Sequence, residues 1–189
     1  MLEKDLGARR FHHSLGAGEL AVVLASANGT DADRAYTAAL LHDCAKALSA
    51  DEIMALAQSG QYPVDAGDFE FPGILHAPVG AMLARSRHGI GDDEILEAIA
   101  CHPTGRAGAP PLLWIVMAAD YCEPTRDFPG SDDIRRLVLK DLRKGLLMVL
   151  KSKIQHLTGL GKPAHPRVCS MIAELERTPE RVGTDERRT

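Results

Sequence analysis

Apolar residues recur at helical spacing along most of this chain, and no stretch shows the two-residue alternation of a half-buried strand. That pattern restricts the fold to packed helices, so the useful question is where each helix starts and stops. In residues 8–27, Leu15, Leu20, Val23 and Leu24 share helical spacing, and Gly29 offers a stop. Asp31 is placed to cap a helix through the Ala-rich stretch to about Lys46. Ser49 and Glu52 form a capping-box pattern ahead of a short helix over 50–58. Residues 59–73, rich in Gly, Pro and acids, read as a surface loop. A helix is expected over 74–88, ending near Gly89. Another runs from Asp92 or Asp93 to about His102, where Pro103 stops it. Residues 104–110 form a Gly-rich turn, and Pro111 suits the first turn of a helix to Cys122. Asp132 opens a long helix to about Leu157, residues 158–166 form a Gly/Pro loop, and a last helix covers 167–177.

The expected fold is therefore all-α, a single helical bundle of about seven to eight helices over residues 1–177, with a flexible polar tail at 178–189. A length of 189 residues suits one domain. With only 4% aromatic residues, the core must be mainly Leu, Ala, Ile and Val. The net charge of −4 argues against nucleic acid or an anionic membrane as the main partner, while leaving room for a local basic pocket. Cys44, Cys101, Cys122 and Cys169 form no C-x-x-C pair and are irregularly spaced, which favours a reducing, cytoplasmic setting over a disulfide framework. The charged start MLEKDLGARRFHH has no apolar signal-peptide core, and no apolar run reaches the ~18 residues of a membrane span.

Chemistry concentrates in His13, His42, His76 and His102, each expected on a helix beside apolar neighbours, and in two aspartates. Asp43 follows His42 after the run AALL, and Asp120 ends the run WIVMAA. Burying a carboxylate is costly unless it is paired or bound to metal. Imidazole and carboxylate together suit a first-row divalent metal such as iron, manganese or zinc. Adjacent helical residues point about 100° apart, so Asp43 can lie between two ions while His42 holds one. A histidine on an apolar helix face is more often a hydrogen-bonded core residue, so the residue types alone leave a metal site and a packed core both open.

The order of the motifs goes further. RFHHSLGAGELAVVLA, ALLHDCAKAL, ILHAPVGAMLA, EILEAIACHPTG and AADYCEPTRDFPG follow one another over about residues 9–142, with GKPAHPRV behind them. In this order the chain resembles the HD superfamily of metal-dependent phosphohydrolases, whose pattern is H…HD…D. Within it, the chain resembles the YqeK-type symmetrical diadenosine tetraphosphate hydrolases. The resemblance implies a two-metal site, associated with iron, in which His13, His42, Asp43 and Asp120 hold one ion. Asp43 would bridge to a second ion completed by His76 and His102. It also implies that Lys46 lies close to the phosphates, and that Arg126, the DFPG turn and Arg106 bind substrate. The reaction implied is attack of a metal-activated water on a β-phosphorus of diadenosine tetraphosphate, releasing two ADP, with Asp43 and Lys46 as the catalytic pair.

This sequence departs from the family pattern in three places. His12 stands beside His13, although the spacing R-aromatic-x-H selects His13. HPTG replaces the more usual HTTG. Cys44, a small thiol suited to packing, follows the HD pair. Glu123 and Asp127 read as loop-ordering groups, and His88, His156 and His165 as surface residues. The rival expectations are an HD phosphohydrolase of another nucleotide, such as a nucleoside di- or triphosphate, and a non-catalytic metal- or nucleotide-binding regulator. A helix-hairpin-helix module at HLTGLGKPA is disfavoured by the acidic chain. A homodimer is expected only on the general frequency of twofold assembly.

Overall fold

Several helices begin where a side chain satisfies their first free amides. The structure, a computed structural model, describes residues 6–177; the tail expected at 178–189 lies outside the described residues. Among these residues there are nine α-helices and no strand. They are α1 (Ala8–Ala27), α2 (Ala32–Leu41), α3 (Ala50–Gln58), α4 (His76–His88), α5 (Asp93–Cys101), α6 (Pro111–Cys122), α7 (Ser131–Lys140), α8 (Leu142–Gly159) and α9 (Pro166–Arg177). Asp31 accepts from the amides of Asp33 and Arg34 to start α2. Ser49 and Glu52 close a reciprocal capping box on α3, and Asp92 caps α5 through Glu94 and Ile95. Gly89 ends α4 in the left-handed conformation.

Three expectations are corrected. The helix expected to reach Lys46 stops at Leu41, and a 3₁₀ turn over Cys44–Ala47 follows. The loop expected at 59–73 contains two short 3₁₀ segments, Ala66–Glu70 and Pro72–Ile74. The long helix expected over 132–157 is two helices, which raises the count to nine. Asp141 is extended, with φ −153° and ψ 98°, and its side chain caps α8 through the amide of Lys144. The chain doubles back so tightly that a Cβ on Gly145 would lie 2.4 Å from the Cα of Val138.

α6 is the central element. Leu112, Leu113, Ile115, Val116, Met117, Ala118 and Ala119 are all fully buried, as expected for a helix that is apolar on every side. α1 packs against α2 and α6, α4 against α5, and α8 against both α6 and α7. Alanines fill the contacts of α1 with its neighbours: Ala17, Ala21, Ala25, Ala35, Ala38 and Ala39 have no exposed surface. Small side chains there let helix axes approach closely, which offsets the scarcity of aromatics. Gly105, with φ +63°, turns the chain after α5; a Cβ there would strike the sulfur of Met171. No described helix is long and apolar enough to cross a membrane, and all four cysteines are free.

Candidate metal centre

Helix ends deliver most of the candidate ligands. His42 and Asp43 sit in the junction between α2 and the 3₁₀ turn, and not inside a helix as expected from the sequence. Asp43 adopts φ −106° and ψ 12°, near the sparsely populated bridge region where active-site residues often lie. His76 is the first residue of α4, His102 follows the last residue of α5, Asp120 lies near the end of α6, and His13 lies early in α1.

These six residues converge. His13 Nε2 lies 3.1 Å from Asp120 Oδ1, 3.3 Å from His42 Nε2 and 4.0 Å from Asp43 Oδ2. His42 Nε2 lies 3.5 Å from both Asp43 Oδ2 and Asp120 Oδ1. On the other side of the same carboxylate, Asp43 Oδ1 lies 3.4 Å from His76 Nε2 and 3.6 Å from His102 Nε2, and those two nitrogens are 3.4 Å apart. Asp43 thus divides the cluster, with one oxygen facing His13, His42 and Asp120 and the other facing His76 and His102. Donors held about 2.1 Å from one cation lie roughly 3.0 to 3.4 Å apart at octahedral or tetrahedral angles, so both groups are spaced as ligands are. Exposed His12 takes no part, which separates it from its neighbour His13.

The hydrogen bonds behind the cluster show what it is built for. The Nδ1 of His42, His76 and His102 each faces the carbonyl three residues back, on Ala39, Gly73 and Ile99, at 2.6, 2.9 and 2.8 Å. Those carbonyls can only accept, so each Nδ1 carries a proton, and in the neutral ring each Nε2 turns a lone pair inward. His13 Nδ1 donates in the same way to Glu123 Oε1 at 3.0 Å. Four lone pairs and two carboxylates in van der Waals contact repel one another unless positive charge sits among them. Asp43 Oδ1 is buried and makes no hydrogen bond. The residues therefore fit divalent metal ions, with second groups holding each imidazole in the correct tautomer.

The electrostatics point the same way. Burial raises the carboxyl of Asp43, but the surrounding imidazoles, His42 foremost, outweigh it and hold Asp43 far below the usual range. Asp120 is held well below it too, against burial, by His13 and His42. Burial depresses His42, but Asp43 and Asp120 overcome this and push its imidazole up to about 10. A divalent ion among these donors would supply the positive charge that the proton on His42 otherwise provides. Burial, with His42 and His76 beside it, drives His102 well below its ordinary value, so that ring is neutral and ready to coordinate.

The cluster opens onto a cleft of about 1030 Å³ lined on its metal side by His76, His102 and Asp120. Two of the expected phosphate-binding residues line it. Lys46 Nζ donates to Asp43 Oδ2 at 2.8 Å, and Arg126 Nη2 donates to Asp120 Oδ1 at 3.1 Å. Arg106 is not among the lining residues. It pairs with Glu97 and donates to the carbonyls of Ala107 and Gly108, so the structure does not bring it to the site. The DFPG turn contributes Phe128 and Pro129 to the cleft wall.

Several residues escaped the sequence reading. Glu123, expected to order a loop, does bind the amide and hydroxyl of Thr125, but it also fixes His13. It lies three residues after Asp120, a spacing that would have pointed to the same side of the chain. Arg10 donates to the carbonyl of Lys46 and ties α1 to the 3₁₀ turn. Lys153 lines the cleft from α8, in a segment that carried no motif. His165, expected on the surface, is buried: its Nε2 is 3.1 Å from Asp68 Oδ1, and its ring meets Phe71 edge-on at 4.7 Å. Arg167 binds the same aspartate, which fastens the start of α9 to the 3₁₀ segment and to the Phe71 wall of the cleft.

Comparison with known proteins identifies the family. Residues 10–125 match the family model of the HD domain. The symmetrical bis(5'-nucleosyl)-tetraphosphatase of Bacillus subtilis is 34% identical over 165 residues, 87% of this chain and 88% of that protein. The protein of the same name from Halalkalibacterium halodurans is 34% identical over 177 residues, 93% of each chain. A solved structure from Clostridium acetobutylicum, described as a predicted HD superfamily hydrolase involved in NAD metabolism, superposes with a TM-score of 0.88 at 35% identity, covering 93% of each chain. By the match to the HD domain model and the extent of these identities, this chain belongs to the HD domain family and, within it, to the family of the symmetrical bis(5'-nucleosyl)-tetraphosphatases.

Proposed function

We propose that the protein is a metal-dependent phosphohydrolase that cleaves diadenosine tetraphosphate symmetrically, adding one water across the central P–O–P bridge to give two ADP. The observation that carries this reading is the divided carboxylate of Asp43, whose neighbours His76, His102 and Asp120 line a cleft that also holds Lys46 and Arg126. His13, His42, Asp43 and Asp120 would hold one ion, and Asp43, His76 and His102 the other. Bound there, two divalent ions lower the pKa of water and neutralise charge on phosphoryl oxygens. Lys46 and Arg126 are paired with Asp43 and Asp120, the same carboxylates that the ions would engage. Engagement frees their donors for phosphoryl oxygens, the Arg fork being suited to take two at once. Phosphoryl transfer asks mainly for positioning and charge stabilisation, which these groups supply without a protein nucleophile.

The nitrogen-rich donor set is compatible with iron and with manganese, and iron is proposed from the family resemblance. A cytoplasmic setting is proposed from the free cysteines, and a homodimer from the frequency of such assemblies. The deciding experiment supplies metal-loaded protein with diadenosine tetraphosphate and separates the products. Two ADP per substrate is expected; AMP with ATP, or faster turnover of a nucleoside triphosphate, would replace the reading. Asp43→Ala should abolish turnover and reduce bound metal while the helical signal persists, and full activity in that variant would remove the bridging role.

A further inference from the structure

Lys46 and Arg126 each face a carboxylate, at 2.8 and 3.1 Å, but Lys153, another cation of the cleft wall, does not. Lys153 is half-buried on α8, the helix packed against the Asp120-bearing α6. Its Nζ makes one hydrogen bond, to the carbonyl of Pro103 at 3.3 Å, next to the ligand His102. Among the described residues, no carboxylate lies within ion-pair distance of it. An ammonium carries three donors, and one long bond to a neutral carbonyl leaves two of them unused. A partly desolvated charge without a counter-charge is costly, and ordering a lysine side chain adds to that cost. A neutral side chain of similar length would fill the same wall without either. Burial lowers the pKa of Lys153, and the positive charges of Lys46 and Arg126 lower it further against the opposing pull of Asp120 and Asp43. Asp120 and Asp43 act on Nζ only from beyond ion-pair distance.

We propose that Lys153 is a further phosphate-binding residue, whose ammonium takes a phosphoryl oxygen of a nucleoside diphosphate moiety in the cleft. The inference rests on the nucleotide-hydrolase reading above. With Asp43 and Asp120 committed to metal, Lys46, Arg126 and Lys153 become three donors around one polyanion, and Lys153 is the member that needs no rearrangement to reach it. Its hydrogen bond to Pro103 would then place this donor at a fixed distance from the His76–His102 side of the centre.

The test uses manganese-loaded wild type, Lys153→Met and Lys153→Arg, with ADP and inorganic pyrophosphate as binding probes. Loss of one charged hydrogen bond predicts that Lys153→Met weakens ADP binding, and raises KM for diadenosine tetraphosphate, by about tenfold or more. Metal content should stay unchanged, and Lys153→Arg should recover most of the affinity. Equal ADP and pyrophosphate binding in wild type and Lys153→Met would overturn the proposal. Loss of metal or of helical signal in Lys153→Met, with no rescue by Lys153→Arg, would overturn it too, by reducing Lys153 to a support for the Pro103 turn. Failure of wild type to form ADP from diadenosine tetraphosphate would remove the substrate assignment, but the binding comparison would still decide the role of Lys153. If neither probe binds wild type, the phosphate role is wrong.

Discussion

At the scale of single residues, three histidines orient themselves by local means and one depends on a distant partner. His42, His76 and His102 each donate to a carbonyl three residues earlier, at helix ends where such carbonyls or turns are available. His13 lies inside α1, where backbone carbonyls are already used, so it relies on Glu123 from beyond α6. Burial would raise the Glu123 carboxyl, but hydrogen bonds from His13 and Thr125 keep it below the usual range and therefore charged. Replacing it with the isosteric amide leaves the size but removes the charge. Because groups behind a metal ligand typically govern 10- to 100-fold in metal affinity, Glu123→Gln should weaken binding at the His13 side by about tenfold or more. Competition with a coloured chelator would measure this, and an unchanged affinity would mean that His13 needs no orienting partner. All six ligand candidates were legible from motif order, because order survives folding. Glu123 and Lys153 were not, because their roles depend on which helix end meets which loop, and no local pattern encodes that.

At the scale of elements, caps were legible and breaks inside apolar stripes were not. Asp31, Ser49 with Glu52, Asp92 and Gly89 all act where their side chains or backbone freedom suggest. The break at Asp141 was hidden because Ile134, Val138, Leu142 and Leu146 keep a four-residue spacing straight through it, and all four are buried. The missing signal was Gly145, which sits against the backbone of Val138 where no Cβ fits. The same clash yields a prediction. Gly145→Ala gains helix propensity in α8, worth about 1 kcal/mol, yet forces α7 and α8 apart. Overpacking against backbone costs typically 1–3 kcal/mol, so the net effect should be destabilising. A thermal melt of the variant should show a lower Tm than wild type, whereas a rise would mean that the two helices can separate freely.

At the scale of the whole molecule, the metal centre joins what the chain order keeps apart. Its six candidate ligands come from α1, the α2–3₁₀ junction, α4, α5 and α6, so metal bound there would fasten most of the helices to one point. The unfolded chain has no such preformed site, and ligand binding to the folded state alone adds RT ln(1 + [L]/Kd) to stability. At a hundredfold excess over Kd, one ion adds about 2.7 kcal/mol. For a chain of this length that corresponds to a Tm increase of roughly 5 to 10 °C. Chelator-treated protein titrated with manganese should therefore melt at progressively higher temperature, rising with the logarithm of free metal. Asp43→Ala, which removes the group common to both halves, should flatten that rise. His165→Ala, which disrupts the Asp68 and Phe71 contacts at the far wall, should lower the whole curve and keep its slope. A Tm independent of metal in wild type would mean that the cluster is held by its own hydrogen bonds and that the repulsion among its lone pairs is relieved some other way.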